Sequence, residues 1–116
     1  MYKVLSFLSK RDDLTTDEFV EYYEKHHVPL ILSLAPAPML YKRRYIKRES
    51  KIIRDAGEVD FDVVTELGFA DQAAFEAWME RLLAPSNSDI VAEDEAKFLN
   101  RARTRAYAPE EFVTSK

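Results

Sequence analysis

The segment FDVVTELGF, residues 61–69, alternates along its length. Phe61, Val63, Thr65, Leu67 and Phe69 share one face of an extended strand, and Asp62, Val64, Glu66 and Gly68 share the other. A period of two marks a strand rather than a helix. Towards the N-terminus, YKVLSFLS (residues 2–9) also reads as a strand, with Val4 and Leu8 on one face and Leu5 and Phe7 on the other. A strand apolar on both faces is normally buried on both. Between the two, Thr15 and Glu18 have capping-box spacing and open a helix carrying Phe19, Tyr23, His26 and Leu30 at helical intervals. Pro29 has no amide hydrogen for the Lys25 carbonyl, which predicts a kink near His27 and Val28. LILSLAPAP (30–38) continues as a helical turn into a proline-stiffened loop, and Met39 to Ser50 reads as a strand rich in Tyr, Arg and Lys.

Asp55-Ala56-Gly57 marks a turn within 51–60. Asp71 is an N-cap candidate for a helix through about Ala84, with Phe75, Trp78 and Leu82 as its apolar stripe. Pro85 to Ser88 reads as a break, Ile90 to Phe98 as a short helix, and Thr104 to Ala108 as a last strand before a polar tail. The order β-α-β-β-α-β predicts an α+β, ferredoxin-like fold with an antiparallel sheet, in one domain spanning 1–116. Both helices on one face of the sheet would leave the other face bare. The doubly apolar first strand predicts that a second copy covers it.

Composition narrows the function. The 116 residues are 47% hydrophobic and 33% charged, as in ordinary soluble globular proteins. With no cysteine, disulfides, thiolate metal sites and cysteine nucleophiles are excluded, and two glycines leave little for a phosphate-cradling loop. The N-terminal apolar stretch is too short and interrupted for a secretory signal, and the most apolar run, Val28 to Leu40, carries three prolines. A cytoplasmic protein without membrane contact is the expectation. The net charge of −4 speaks against nucleic acid. The strand order is shared with RNA-recognition domains, but Asp62 and Glu66 on the third strand would repel phosphate. The six basic residues of 41–51 (Lys42, Arg43, Arg44, Lys47, Arg48, Lys51) fit a solvated edge strand.

His26 and His27 are the only histidines. On an ideal helix His26 falls on the apolar stripe and His27 on its flank. Adjacent residues point apart and cannot jointly chelate, so no metal is expected. The segment KRDDLTTDEFVEYYEKHHVPL (10–30) resembles the signature of the EthD family, with Phe19, Tyr23, His27, Pro29 and Leu30 at its positions. The short fungal-type members are most similar. Arg44-Tyr45 resembles the family's second strand, FDVVTELGF its third through Asp62, Glu66 and Phe69, and EDEAKFL (93–99) its acidic-aromatic run. Tyr23 stands where many members have Trp. Gly68 replaces a larger residue, which is expected to enlarge the pocket.

The resemblance implies a dimeric α+β barrel and selects His27 over His26 as the functional histidine. It implies a cofactor-independent enzyme of aromatic, polyketide-like metabolism, of lyase or isomerase type, in which His27 moves protons in decarboxylation, dehydration, cyclisation or isomerisation. Asp62 and Glu66 join it as catalytic candidates. Their backbones lie about 13 Å apart along the strand, too far for a tight carboxylate dyad. Buried carboxylates need partners, and Arg43, Arg44 and Arg48 are at hand. Tyr23, Tyr41, Arg44, Tyr45 and Val64 are the substrate-binding candidates, Arg44 facing a carboxylate or oxyanion. His27 is expected to share a cavity with the Asp62, Val64 and Glu66 face. The alternative is a non-catalytic dimer that binds a small molecule or assists an oxygenase.

Overall fold

Residues Val63–Phe69 form the central strand β3, paired antiparallel with β1 (Tyr2–Leu8) on one side and β2 (Leu40–Tyr45) on the other. β4 (Arg105–Tyr107) pairs with the far edge of β1, giving the order β2-β3-β1-β4. The computed structural model describes residues 1–53 and 57–116; the Asp55-Ala56 part of the expected turn lies outside the described residues.

The helices are α1 (Thr16–Tyr22), α2 (Val28–Leu34), α3 (Gln72–Leu82) and α4 (Pro85–Ala96). A π-helical turn, Tyr23–His27, joins α1 to α2 without a break. The capping box holds as expected. Thr15 Oγ1 accepts from the Glu18 N–H at 3.1 Å, and the Glu18 carboxylate accepts from the Thr15 N–H at 2.9 Å. Asp71 caps α3 by accepting from the Ala74 N–H at 2.8 Å. The fold is ferredoxin-like α+β, as the strand order predicts.

Register decides what each sheet face meets. Val4 pairs with Leu67, Ser6 with Thr65 and Leu8 with Val63, while Tyr41, Arg43 and Tyr45 oppose Leu67, Thr65 and Val63. These residues face the helices. Phe19, Tyr23, Phe98 and Leu99 pack on Leu8 and Val63, and Phe75 and Trp78 pack on Val4, Leu67 and Phe69.

Three boundaries differ most from the sequence reading. β2 ends at Tyr45, not Ser50. The Arg48 guanidinium draws the chain into a tight turn by donating to the Val59 and Phe61 carbonyls. β3 starts at Val63, where cross-strand pairing with Leu8 begins. Pro85 opens α4 instead of breaking the chain, because the first helical position has no use for an amide hydrogen.

Candidate active site

Phe19, Tyr23, His27, Ile31 and Ala35 are all buried, at intervals of four residues. An α-helix advances about 400° in four residues, so such a stripe would drift by some 40° at each step. The π turn removes the drift. The Val28 N–H reaches back five residues to the Tyr23 carbonyl, which fits one more residue into the turn. This is the distortion that Pro29 predicts, and it rotates His27 inward. His26, on the stripe of an ideal helix, is instead exposed and lies tilted against Tyr22 at 4.9 Å between ring centroids.

His27 is 8% exposed, and its Nδ1 lies 2.5 Å from Asp94 Oδ2. Asp94, on α4, is itself buried, and its other oxygen accepts from the Tyr22 hydroxyl at 2.7 Å. Opposite a carboxylate, Nδ1 carries the hydrogen and the neutral ring keeps its lone pair on Nε2. Phe98 at 4.9 Å and the edge of Tyr23 at 5.1 Å fix the ring plane.

A cavity of about 300 Å³ lies between sheet and helices, walled by His27, Tyr23, Ile31, Tyr41, Thr65, Trp78, Leu82 and Glu95, among others. The Tyr23 and Thr65 hydroxyls share a hydrogen bond of 2.5 Å. Burial pushes the Tyr23 and Tyr41 phenols above the ordinary tyrosine range. Burial likewise raises the Glu95 carboxyl, against the opposing pull of Arg101 at 3.5 Å. Tyr22 is pushed up to about 12, first by burial and then by its bond to Asp94.

Of the residues expected at the site, His27, Tyr23 and Tyr41 therefore meet in one cavity. Asp62, Val64, Glu66 and Arg44 do not join them. Strand alternation that turns Thr65 towards Tyr23 must turn Val64 and Glu66 to the opposite sheet face. There Glu66 is held by Arg44 at 3.0 Å and Lys3 at 3.4 Å, and the Arg44 bond is the main cause of its lowered pKa. Asp62 accepts from the Lys10 N–H at 2.8 Å and from Arg48 at 3.0 Å, pinning the chain after β1. Arg43 pairs with neither acid but with Glu24, at 2.5 and 2.9 Å, and its guanidinium lies over the Tyr41 ring. Tyr45 faces the helices beneath the cavity, packing on Phe19 and Tyr23 and donating to Glu24 at 2.5 Å. Gly68 is also on the far face, so it does not enlarge the cavity. A Cβ there would lie 2.9 Å from Leu40 Cβ and against the Met1 sulfur.

Asp94 and Glu95 are the members that sequence reasoning missed. The acidic-aromatic run 93–99 contains them, but three adjacent acids on one helix give no means of choosing the inward one. Among the described residues, no group of three or more His, Cys, Asp or Glu is gathered as metal ligands, and no helix is long and apolar enough to cross a membrane.

The geometry can be set beside known proteins. An EthD family protein from Bacillus halodurans C-125 superposes with a TM-score of 0.62 at 19% identity, over 97% of this chain and 100% of that one. HapK from Hahella chejuensis does so with 0.61 at 12% identity, over 100% and 99%. A NIPSNAP domain protein from Burkholderia xenovorans gives 0.60 at 16% identity, over 99% and 100%. At these identities the likeness is one of fold. No curated protein matches in sequence. The EthD domain matches residues 11–102, most of the chain, including the π turn, His27 and Asp94. The chain belongs to the EthD domain family.

Proposed function

We propose that this protein is a cofactor-independent acid–base enzyme acting on an aromatic or polyketide-like small molecule in the cavity, with His27 Nε2 as the group that moves the proton. The observation that carries this reading is the His27–Asp94 pair: a buried carboxylate orients an imidazole in a cavity wall and leaves one ring nitrogen for a substrate. Asp94 is a positioning residue, braced by Tyr22. The imidazole takes a proton from a C–H or O–H of the substrate and returns it to another atom, with no change of oxidation state. Isomerisation, cyclisation and dehydration fit that balance. So does decarboxylation, in which carbon dioxide departs and the proton is placed on the carbon left behind. The likeness to the short fungal-type EthD members supports the polyketide-like substrate class.

The reading includes a homodimer. Leu5, Phe7 and Val64 are half-buried on the outer sheet face, where no helix among the described residues covers them. A second copy placed there closes the barrel.

The test is incubation with a panel of aromatic acids and enolisable ketones, with products read by mass spectrometry. A folded His27→Ala variant is expected to lose about 10²–10⁴-fold in rate on any substrate found. Unchanged turnover would sink the assignment. A ligand bound equally well by both proteins, with no turnover in either, would instead establish a binding module or oxygenase accessory.

A further inference from the structure

Several polar groups of the cavity wall are paired within the protein. Tyr23 bonds Thr65, His27 bonds Asp94, and Glu95 faces Arg101. Trp78 breaks this pattern. Its indole Nε1 is shut off from solvent and has no acceptor, and it is the one buried side-chain nitrogen or oxygen so left among the described residues. Buried indoles ordinarily find a partner, and a native exception calls for an explanation. The ring stands on α3, in the wall of the cavity. The residue also lines an apolar surface groove of about 340 Å³, formed with Pro36, Pro38 and Met39. The ring packs on Val4, Leu67 and Phe69 of the sheet, Phe69 at 5.3 Å between ring centroids, and on Ile31, Ala35 and Leu82 of the helices.

We infer that Trp78 is a ligand-recognition residue, whose N–H is completed by an acceptor oxygen of the molecule in the cavity. This rests on the reading that the cavity holds a small molecule beside His27, and it narrows the class of that molecule. The occupant is flat and mostly apolar, with a transferable proton for His27 and a carbonyl, phenolic or carboxylate oxygen for Trp78. A site built to hydrogen-bond an oxygen discriminates against the analogue that lacks it, because its own polar group then stays unpaired. The empty protein keeps the N–H closed from water, so the ring turns slightly as the ligand enters.

Trp78 is the only tryptophan, so a ¹H–¹⁵N spectrum contains one indole signal that reports on it alone. The probes are 1-tetralone, a two-ring ketone, and tetralin, the same skeleton without oxygen. With 1-tetralone the indole proton is expected to move downfield and saturate together with the Ile31 and Leu82 methyl signals. With tetralin the methyl signals move and the indole proton does not shift downfield. Trp78→Phe is expected to bind 1-tetralone about tenfold more weakly and tetralin within twofold of the parent. If 1-tetralone moves the methyl signals but not the indole, or if Trp78→Phe weakens both probes equally, the inference is overturned and the His27 reading stands. If neither set of signals responds up to the solubility limit, the cavity is not a ligand site and both fall.

Discussion

At the level of single side chains the proposed site rests on His27 and Asp94, and the exposed His26 serves as a control. Asp94→Ala leaves the Tyr22 hydroxyl and the His27 Nδ1–H without an acceptor in a buried place. At about 1–3 kcal/mol for each orphaned donor, urea denaturation should show a loss of roughly that size or larger. Asp94→Asn keeps one acceptor oxygen and should recover part of it. His26→Ala, at an exposed position, should stay within about 0.5 kcal/mol of the parent. Gly68→Ala tests the opposite sheet face. The new methyl lies 2.9 Å from Leu40 Cβ, on the paired strand, so overpacking should cost about 1–3 kcal/mol by the same assay, without altering ligand binding in the cavity. The choice between the histidines could not be read from an ideal helical wheel, because one turn of this helix is not α-helical. It was readable from the four-residue spacing of Phe19, Tyr23, His27, Ile31 and Ala35, a period too long for an α-helix. The misplacement of Asp62, Glu66 and Arg44 has a different origin. Alternation along β3 separates Thr65 from its neighbours, but which side meets the helices depends on pairing partners that one strand does not disclose.

Helices and strands were legible wherever composition and period agreed. The capping box, the Asp71 cap and the alternation of β3 all led to elements in the right order. Boundaries were lost where a distant group intervenes, as Arg48 does after β2. The π turn joins two halves of one helix, and its origin can be tested by removing a residue. Lys25 is exposed, and its ion pair with Glu21, at 3.5 Å, joins two exposed side chains, so little is lost with it. Deleting Lys25 brings Phe19, Tyr23 and His27 to the i, i+4, i+7 spacing of an ordinary helix. The deletion variant is expected to fold with an unbroken α-helix. Its imidazole should be displaced along the axis by about one residue's rise of 1.5 Å, enough to weaken the Asp94 contact. Amide exchange at Val28 and the Nδ1 proton signal would follow the two changes separately; collapse of the fold would show that the π turn is required for packing.

The whole molecule is 22 Å thick in its shortest dimension, the depth of one sheet and one layer of helices. The outer sheet face is what such a slab leaves uncovered. Light scattering at micromolar concentration should give the mass of a dimer, and Phe7→Asp, in the middle of that face, should give a monomer. A parent protein that is already monomeric would remove the barrel. Alkali offers a second global test. Tyr22, Tyr23, Tyr41 and Tyr45 are all raised by burial. Each folded value lies above the unfolded one, so this contribution to stability is whole below about pH 10 and is lost as the pH climbs through the folded values. The share of Tyr22, whose folded value is about 12, is lost between about pH 10 and that value. Tyrosinate absorbance should therefore rise in two stages, the later one coinciding with unfolding; a single early rise would contradict the buried cluster. The bond between His27 and Asp94 joins residues 67 apart in sequence, and this has a consequence for the protein's biogenesis. A chain leaving the ribosome can form the π turn early, but its imidazole has no acceptor until α4 has been synthesised and has docked. Long-range closures of this kind come late and open early, so nascent, truncated or partly frayed chains would keep a recognisable sheet yet hold a histidine without direction.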